Sequence, residues 1–276
     1  MELNNIYQGD CIELMSQLEE ESFDLIIADP PYNLNKDFGN NSDKWVNVHD
    51  WVEWSKSWIK VAVKKLKPTG SIFIYGIHHY QCYIQVYLYE LGLYYRRQII
   101  WYYENGFTTY KKAPPAQYEP LLWFSKGEDY VYHTVREPYK SQERLKNKIT
   151  KNGKVWEPHP EGKQGGDVWN IPVLAGKRFE NERVEHPTQK PLQICDRIIK
   201  HFSNEGDKIL IPFCGSGSEC VSARMNRRDF IAFEINEAYI KISNERLCEL
   251  EQVDTATLWG DKIHDAKTDQ PLLAQE

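Results

Sequence analysis

Four consecutive residues, Asp29-Pro30-Pro31-Tyr32, combine an ionisable acceptor, a stiff turn and an aromatic face. Such a set suits chemistry on an aromatic amine. The lone pair of that amine is delocalised into its ring, so the nitrogen becomes nucleophilic only when its two hydrogens are held and it is drawn toward tetrahedral geometry. An ionised Asp29 accepts without donating and can take one hydrogen; the Pro30 carbonyl can take the other. The prolines Pro30 and Pro31 have fixed φ and no N–H, which stiffens the turn. Tyr32 offers a ring on which a base swung out of a duplex can stack. Alone, the tetrapeptide reads first as a strand-ending turn.

A second element lies far downstream, where Ile209-Leu210-Ile211-Pro212-Phe213-Cys214-Gly215-Ser216-Gly217 spells a strand and a Gly-x-Gly turn. Glycines let a backbone approach a ligand closely, and Glu234, roughly 20 residues on at the end of the next expected strand, is placed to bind ribose hydroxyls. The third glycine of a dinucleotide loop is missing, and no Lys-Ser or Lys-Thr follows as a P-loop requires. A nucleoside cofactor without a pyrophosphate fits better.

The segments that must position these motifs alternate between strand and helix. The apolar run Phe23–Ala28, cut off by the prolines, predicts a buried parallel strand. A short helix is expected over 12–18. Trp51, Trp54, Trp58, Ile59 and Val63 recur at helical spacing until Lys67-Pro68-Thr69-Gly70 stops the helix, with a strand at 71–75; that tryptophan stripe reads as core rather than as a base-stacking platform. A polar loop at 33–44 lies beside the first strand end. A helix at 83–91 precedes β-rich runs at 98–103 and 120–124, with a loop at 111–117 between them. Further on come helix Leu192–Phe202, strand 208–212, helix Ser218–Met225 and strand 230–234. The pattern predicts a Rossmann-like, doubly wound α/β fold with a mixed sheet, one domain over residues 1–276, and sites side by side at the strand C-termini. Residues 136–183 are polar and basic, with Lys140, Arg144, Lys146, Lys148, Lys151, Lys154, Lys163, Lys177 and Arg178 outnumbering the local acids. This stretch is the expected target-recognition insertion and nucleic-acid surface, the alternative being a solvated loop. The polar tail beyond 252 reads as peripheral.

Composition bounds the rest. A length of 276 residues with 41% hydrophobic content allows one full-sized core. A net charge of -6 argues against coating nucleic acid through charge alone, so any DNA contact must be local. No apolar run is long enough for a membrane span and the first residues lack a signal-peptide pattern, so a cytoplasmic protein is expected. The 6 cysteines form no Cys-x-x-Cys pair, and His78-His79, His133, His159 and His201 lack ligand spacing, so no metal is expected.

With a third block, His186-Pro187-Thr188-Gln189-Lys190-Pro191, the chain resembles the amino-group DNA methyltransferases in the β arrangement, where the catalytic Asp-Pro-Pro-Tyr precedes the cofactor glycines. The resemblance covers most of residues 6–247. It implies S-adenosylmethionine as cofactor and methyl transfer to N6 of adenine in double-stranded DNA, because Asp at the first position usually accompanies adenine and Ser cytosine. The alternatives are N4 of cytosine, an RNA or protein-amide substrate, and a catalytically silent cofactor- or DNA-binding regulator. By the same resemblance Asp10 and Cys11 belong to the N-terminal cofactor segment, with Asp10 against the adenine. Thr188, Gln189 and Lys190 hold the methionine end, Lys190 near its carboxylate. Asp29, Phe213, Cys214, Gly215, Ser216, Gly217, Glu234 and Ile235 complete the cofactor site, and Tyr118-Glu119-Pro120 lies near the target base. A homodimer and a cognate restriction endonuclease are partners the family admits. One departure stands out: Ile211 occupies the place of the family's usual acid, and Glu219, following Ser218, is a candidate to supply the missing negative charge.

Overall fold

The computed structural model describes residues 1–36, 38, 44–105, 112 and 114–252; the expected peripheral tail and parts of the loops at 33–44 and 111–117 lie outside the described residues. The chain runs through β1 (Asn5–Gln8), α1 (Cys11–Ser16), β2 (Phe23–Ala28), α2 (Val48–Lys65), β3 (Leu66–Tyr75), α3 (Gln81–Glu90), β4 (Tyr94–Tyr102) and β5 (Tyr118–Ser125). Short strands follow: β6 (Arg136–Glu137), β7 (Ile149–Lys151), β8 (Lys154–Trp156), β9 (Lys163–Gln164) and β10 (Val168–Asn170). The last third holds α4 (Leu192–Phe202), β11 (Lys208–Ile211), α5 (Ser218–Met225), β12 (Asp229–Glu234) and α6 (Glu237–Gln252).

Eight strands form one sheet in the order β1-β12-β11-β2-β3-β5-β4-β10. Strands β1, β12, β11, β2 and β3 pair in parallel, β5 is antiparallel to both neighbours, and β10 is parallel to β4. The chain leaves β2 toward β3 on one side and leaves β11 toward β12 on the other. Adjacent strands that diverge in this way open a crevice at their carboxyl ends, where open α/β sheets bind ligands.

Alternation along the central strands explains the layers. Leu25 and Ile27 of β2 face one core with Phe73, Ile209, Ile211 and the helix residues Ile194, Ile198 and Phe202. Ile26 and Ala28 face the other, against Trp58 and Ile59 of α2 and Met15 of α1. Both faces are covered, as the apolar runs require. Helix α4 presents Ile194, Cys195, Ile198, Ile199 and Phe202 to the sheet, each large side chain contributing about 1.5–3 kcal/mol on burial.

Three local differences from the sequence reading have physical causes. Strand β3 begins at Leu66, not Ser71: Leu66 pairs with Phe23, and a register shift between Phe23 and Leu25 leaves Lys67, Pro68, Thr69 and Gly70 as extra residues before Ser71 pairs with Leu25. The Lys67 ammonium also grips Asp24 at 2.7 Å. Strand β1, too short for periodicity to reveal, is recruited by pairing with β12. Helix α6 was not anticipated, and Leu247 packs it onto the core.

Within 136–183, β6 pairs with β9 and β7 with β8. The β7–β8 turn is Asn152-Gly153 with both φ values positive, 52° and 73°, the geometry for which Asn-Gly is favoured in two-residue hairpins. The end of this stretch returns to the main sheet as β10, with Trp169 buried and the Trp101 indole donating to the Ile171 carbonyl at 2.7 Å.

Candidate active site

A cavity of about 310 Å³ opens at the carboxyl ends of β2 and β11, within the size range of small-molecule sites. On one side, β2 delivers Asp29, Pro30, Pro31 and Tyr32 to its wall. The Trp51 indole of α2 donates to the Pro31 carbonyl at 2.8 Å, and the Asn33 side chain accepts from the Trp45 N–H at 2.9 Å, pinning the turn from both ends.

Asp29 sits in a charged knot. Its Oδ2 lies 2.9 Å from the Lys190 ammonium, and its Oδ1 accepts from the Tyr32 hydroxyl. Lys190 also reaches Glu119 Oε2 at 3.5 Å and lies over the rings of Tyr75, Tyr32 and Trp101 at 5.0, 5.5 and 5.8 Å. Only 4% of Lys190 is exposed. Burial alone would depress its ammonium, but Asp29 and Glu119 outweigh that and hold it above the ordinary lysine value. Burial pushes the Glu119 carboxyl up despite Lys190, and pushes the Tyr32 phenol up with help from Asp29. A carboxylate oxygen has two acceptor sites, so each Asp29 oxygen keeps capacity beyond the contact it makes.

The opposite wall is the loop after β11. Phe213 packs edge-on against Trp58 at 5.1 Å and tilts against Trp54 at 5.9 Å. Gly215 (φ 51°) and Gly217 (φ 75°) are left-handed, which glycine adopts without steric cost. A Cβ on Gly215 would meet His186 Nε2 at 3.0 Å, and one on Gly217 would meet Ser243 Cβ at 2.7 Å. Glu234, ending β12, binds the loop together: Oε2 accepts from Gly215 N–H at 2.8 Å, while Oε1 accepts from Ile235 and Asn236 N–H at 2.9 and 2.8 Å. Burial raises its carboxyl. Asp10 caps α1 by accepting from Ile12 and Glu13 N–H at 2.8 and 3.1 Å, and burial pushes the neighbouring Cys11 thiol up.

Most residues singled out in the sequence therefore meet here: Asp10 and Cys11, the Asp29 turn, Thr188 and Lys190, the run from Phe213 to Ser216, and Glu234 with Ile235. Two do not line the cavity. Gln189 turns away, accepting from Val184 N–H and donating to the Glu182 carbonyl, both at 2.8 Å, and so braces the loop before α4. Gly217 stands behind the wall, against Ser243. Tyr32 is only 8% exposed.

The cavity also has walls that sequence reasoning did not assign, namely Lys36, Phe38, Trp45, Trp54, His186, Asn236 and Tyr239. Trp51 and Trp58 are core as expected, but Trp54, on the same stripe, faces the cavity beside Trp45 at 4.8 Å. Helical spacing alone puts all three tryptophans of α2 on one stripe and does not set Trp54 apart. Burial holds His186 down at about 4, hence neutral. Ile211 is fully buried in apolar surroundings, while Glu219 lines the cavity, 4% exposed.

The DNA methylase family model of the N6 and N4 type matches residues 23–245. The chain is 32% identical over 260 residues to the Type II methyltransferase M1.MboII of Moraxella bovis, covering 91% of this chain and 99% of the relative. It is 32% identical over 250 residues to the DNA adenine methyltransferase YhdJ of Escherichia coli (strain K12), covering 89% and 83%. Among solved structures it matches the PvuII DNA methyltransferase (cytosine-N4-specific) with a TM-score of 0.68 and 20% identity, over 92% of this chain and 89% of that one. It matches the M1.HpyAVI–SAM complex with a TM-score of 0.59 and 22% identity, over 88% and 98%. These structural likenesses establish the mixed α/β fold with its largely parallel sheet.

Proposed function

The chain belongs to the DNA methylase family of the N6 and N4 type, and from that premise we propose that it transfers a methyl group from S-adenosylmethionine to N6 of adenine in duplex DNA. The carrying observation is the placement of the Asp29 carboxylate on the wall of a cavity whose other wall is a glycine loop bound by Glu234. The residues present fit a nucleoside bearing an amino-acid tail. Phe213, Ile235, Asp10 and Glu234 suit the nucleoside, and Thr188, Lys190, Ser216 and Glu219 suit the tail.

S-adenosylmethionine supplies, when bound, a sulfonium methyl that loses its positive charge on transfer. The chain's own task is positioning. Asp29 accepts one hydrogen of the target amine and the Pro30 carbonyl the other, concentrating the lone pair on nitrogen for in-line attack. Lys190 and the Tyr32 hydroxyl fix the Asp29 carboxylate in one orientation, and a fixed acceptor contributes through pre-organisation. As the sulfonium becomes a thioether the positive charge passes to the attacked nitrogen, which then releases one of its hydrogens as a proton to water; no oxyanion develops, so no oxyanion hole is needed. The Tyr32 ring is the surface for a flipped base, and the basic stretch 136–183, with its exposed β7–β8 hairpin, is the surface for the duplex.

Adenine is supported by Asp at the first motif position and by likeness to a relative named as a DNA adenine methyltransferase. The test is to treat unmethylated genomic DNA with the protein and S-adenosylmethionine, digest it, and identify modified nucleosides by mass spectrometry. N6-methyladenine is expected; N4-methylcytosine would overturn the base assignment, and neither would overturn the proposal.

A further inference from the structure

Among the described residues, four carboxylates line the cavity: Asp10, Asp29, Glu219 and Glu234. Three are already engaged by the protein. Asp10 caps α1, Glu234 accepts three backbone N–H groups, and Asp29 holds Lys190 and Tyr32. Glu219 differs. It projects from the first turn of α5, is 4% exposed, and its Oε1 is buried with no hydrogen-bond partner among the described residues. The carboxyl has support from its own backbone N–H and the Cys195 thiol, but an ionised carboxylate with one oxygen left bare in such a place is costly, and a cationic ligand group that donates to that oxygen recovers the cost.

Of the cations an S-adenosylmethionine molecule carries, the sulfonium has no hydrogen to donate and the α-ammonium has three. We infer that Glu219 is the receptor for the α-ammonium of the cofactor's amino-acid tail, a specificity-determining contact carried by the helix after the glycine loop rather than by the strand before it. This deepens the proposed cofactor reading and rests on it. The strand position cannot serve, since Ile211 is fully buried among apolar side chains.

Before ligand binding, burial and then Asp29 push the Glu219 carboxyl up to about 7. The groups around it are Asp29 after β2, Tyr75 on β3, Lys190 and Cys195 at α4, and Cys220 on its own helix, with Arg246 of α6 one residue away at Ser218. An ammonium ligand selects the ionised form, so affinity rises with pH through that value. At one pH unit below it only about a tenth of the binding-competent form exists, which weakens the apparent affinity roughly tenfold.

The test is equilibrium binding of S-adenosylhomocysteine and of its deamino analogue, in which a methylene replaces the aminomethine carbon, to wild type and to Glu219→Gln. The inference predicts that the variant loses about 10- to 100-fold in affinity for S-adenosylhomocysteine, the worth of a hydrogen bond to a charged group, and nothing for the analogue. Wild type should bind S-adenosylhomocysteine more tightly at pH 8 than at pH 6, the analogue should lack that dependence, and this comparison needs no variant. Equal losses for both ligands, or for neither, or identical pH profiles would overturn the inference while leaving the cofactor reading intact. A wild-type chain that binds neither ligand would overturn both.

Discussion

Lys190 and its two carboxylates set up a ranking that two substitutions can test. Lys190→Met fills similar volume but leaves Asp29 and Glu119 without the cation they share at 2.9 and 3.5 Å. Breaking a buried pair by removing one partner costs about 3–5 kcal/mol, and here both remaining groups are acids. Asp29→Ala removes one acid only. Glu119 still neutralises the ammonium, and the Asp29 side chain is 18% exposed, so a smaller loss of roughly 1–3 kcal/mol is expected. Urea unfolding with the slope monitored gives both numbers. The same variants separate positioning from binding. Asp29→Ala should lose methyl-transfer rate on the order of 100-fold, the worth of one hydrogen bond to a charged acceptor, while binding S-adenosylhomocysteine within about threefold of wild type, an allowance below the ~1.4 kcal/mol that a tenfold change represents. The reasoning is refuted if Lys190→Met proves no less stable than Asp29→Ala, or if Asp29→Ala retains its rate.

Three further outcomes are expected. Gly217→Ala, which forces a side chain into a left-handed backbone and onto Ser243 at 2.7 Å, should destabilise by about 1–2 kcal/mol or more, read as a lower urea midpoint. Lys151→Glu with Lys154→Glu, on the β7–β8 hairpin proposed to face the duplex, should weaken DNA binding and reduce the salt slope by about 1 per lost phosphate contact, leaving S-adenosylhomocysteine affinity unchanged. His186 is held at about 4 in the fold, below its unfolded value near 6.5. The folded chain thus binds fewer protons, and this stabilisation, full above about pH 6.5, is lost as pH falls toward 4. His186→Gln should flatten part of that acid slope in urea midpoints measured from pH 7 to 4.5.

Where the sequence was legible, a strong local pattern coincided with a tertiary role. Phe23–Ala28, Leu192–Phe202 and Ser218–Met225 have the bounds read from the pattern, because burial on both faces or on one helical face leaves an unmistakable signature. β1 did not, since four residues carry too little period and exist as a strand only through β12. The Lys67–Gly70 segment carries breaker residues yet stays in β3, because pairing of Leu66 with Phe23 and of Ser71 with Leu25 holds it at both ends and Lys67 is tied to Asp24. At the site, residue types were legible but directions were not. Asp29 and Lys190 were both named, yet their direct contact joins positions far apart in the chain. Gln189 sits one residue from Lys190 and points elsewhere. The cavity role of Trp54 depended on which side of α2 the β11 loop would occupy, which no local pattern contains.

The central claim is that the cavity between β2 and β11 serves methyl transfer to a DNA amine through Asp29. The most direct measurement is single-turnover transfer of label from methyl-labelled S-adenosylmethionine to unmethylated duplex DNA, by wild type and by the near-isosteric Asp29→Asn. Label in DNA with wild type, strongly reduced with the variant at matched S-adenosylhomocysteine binding, is the predicted result. Equal labelling by the two proteins, or no labelling by a wild-type chain that binds the cofactor, would contradict it.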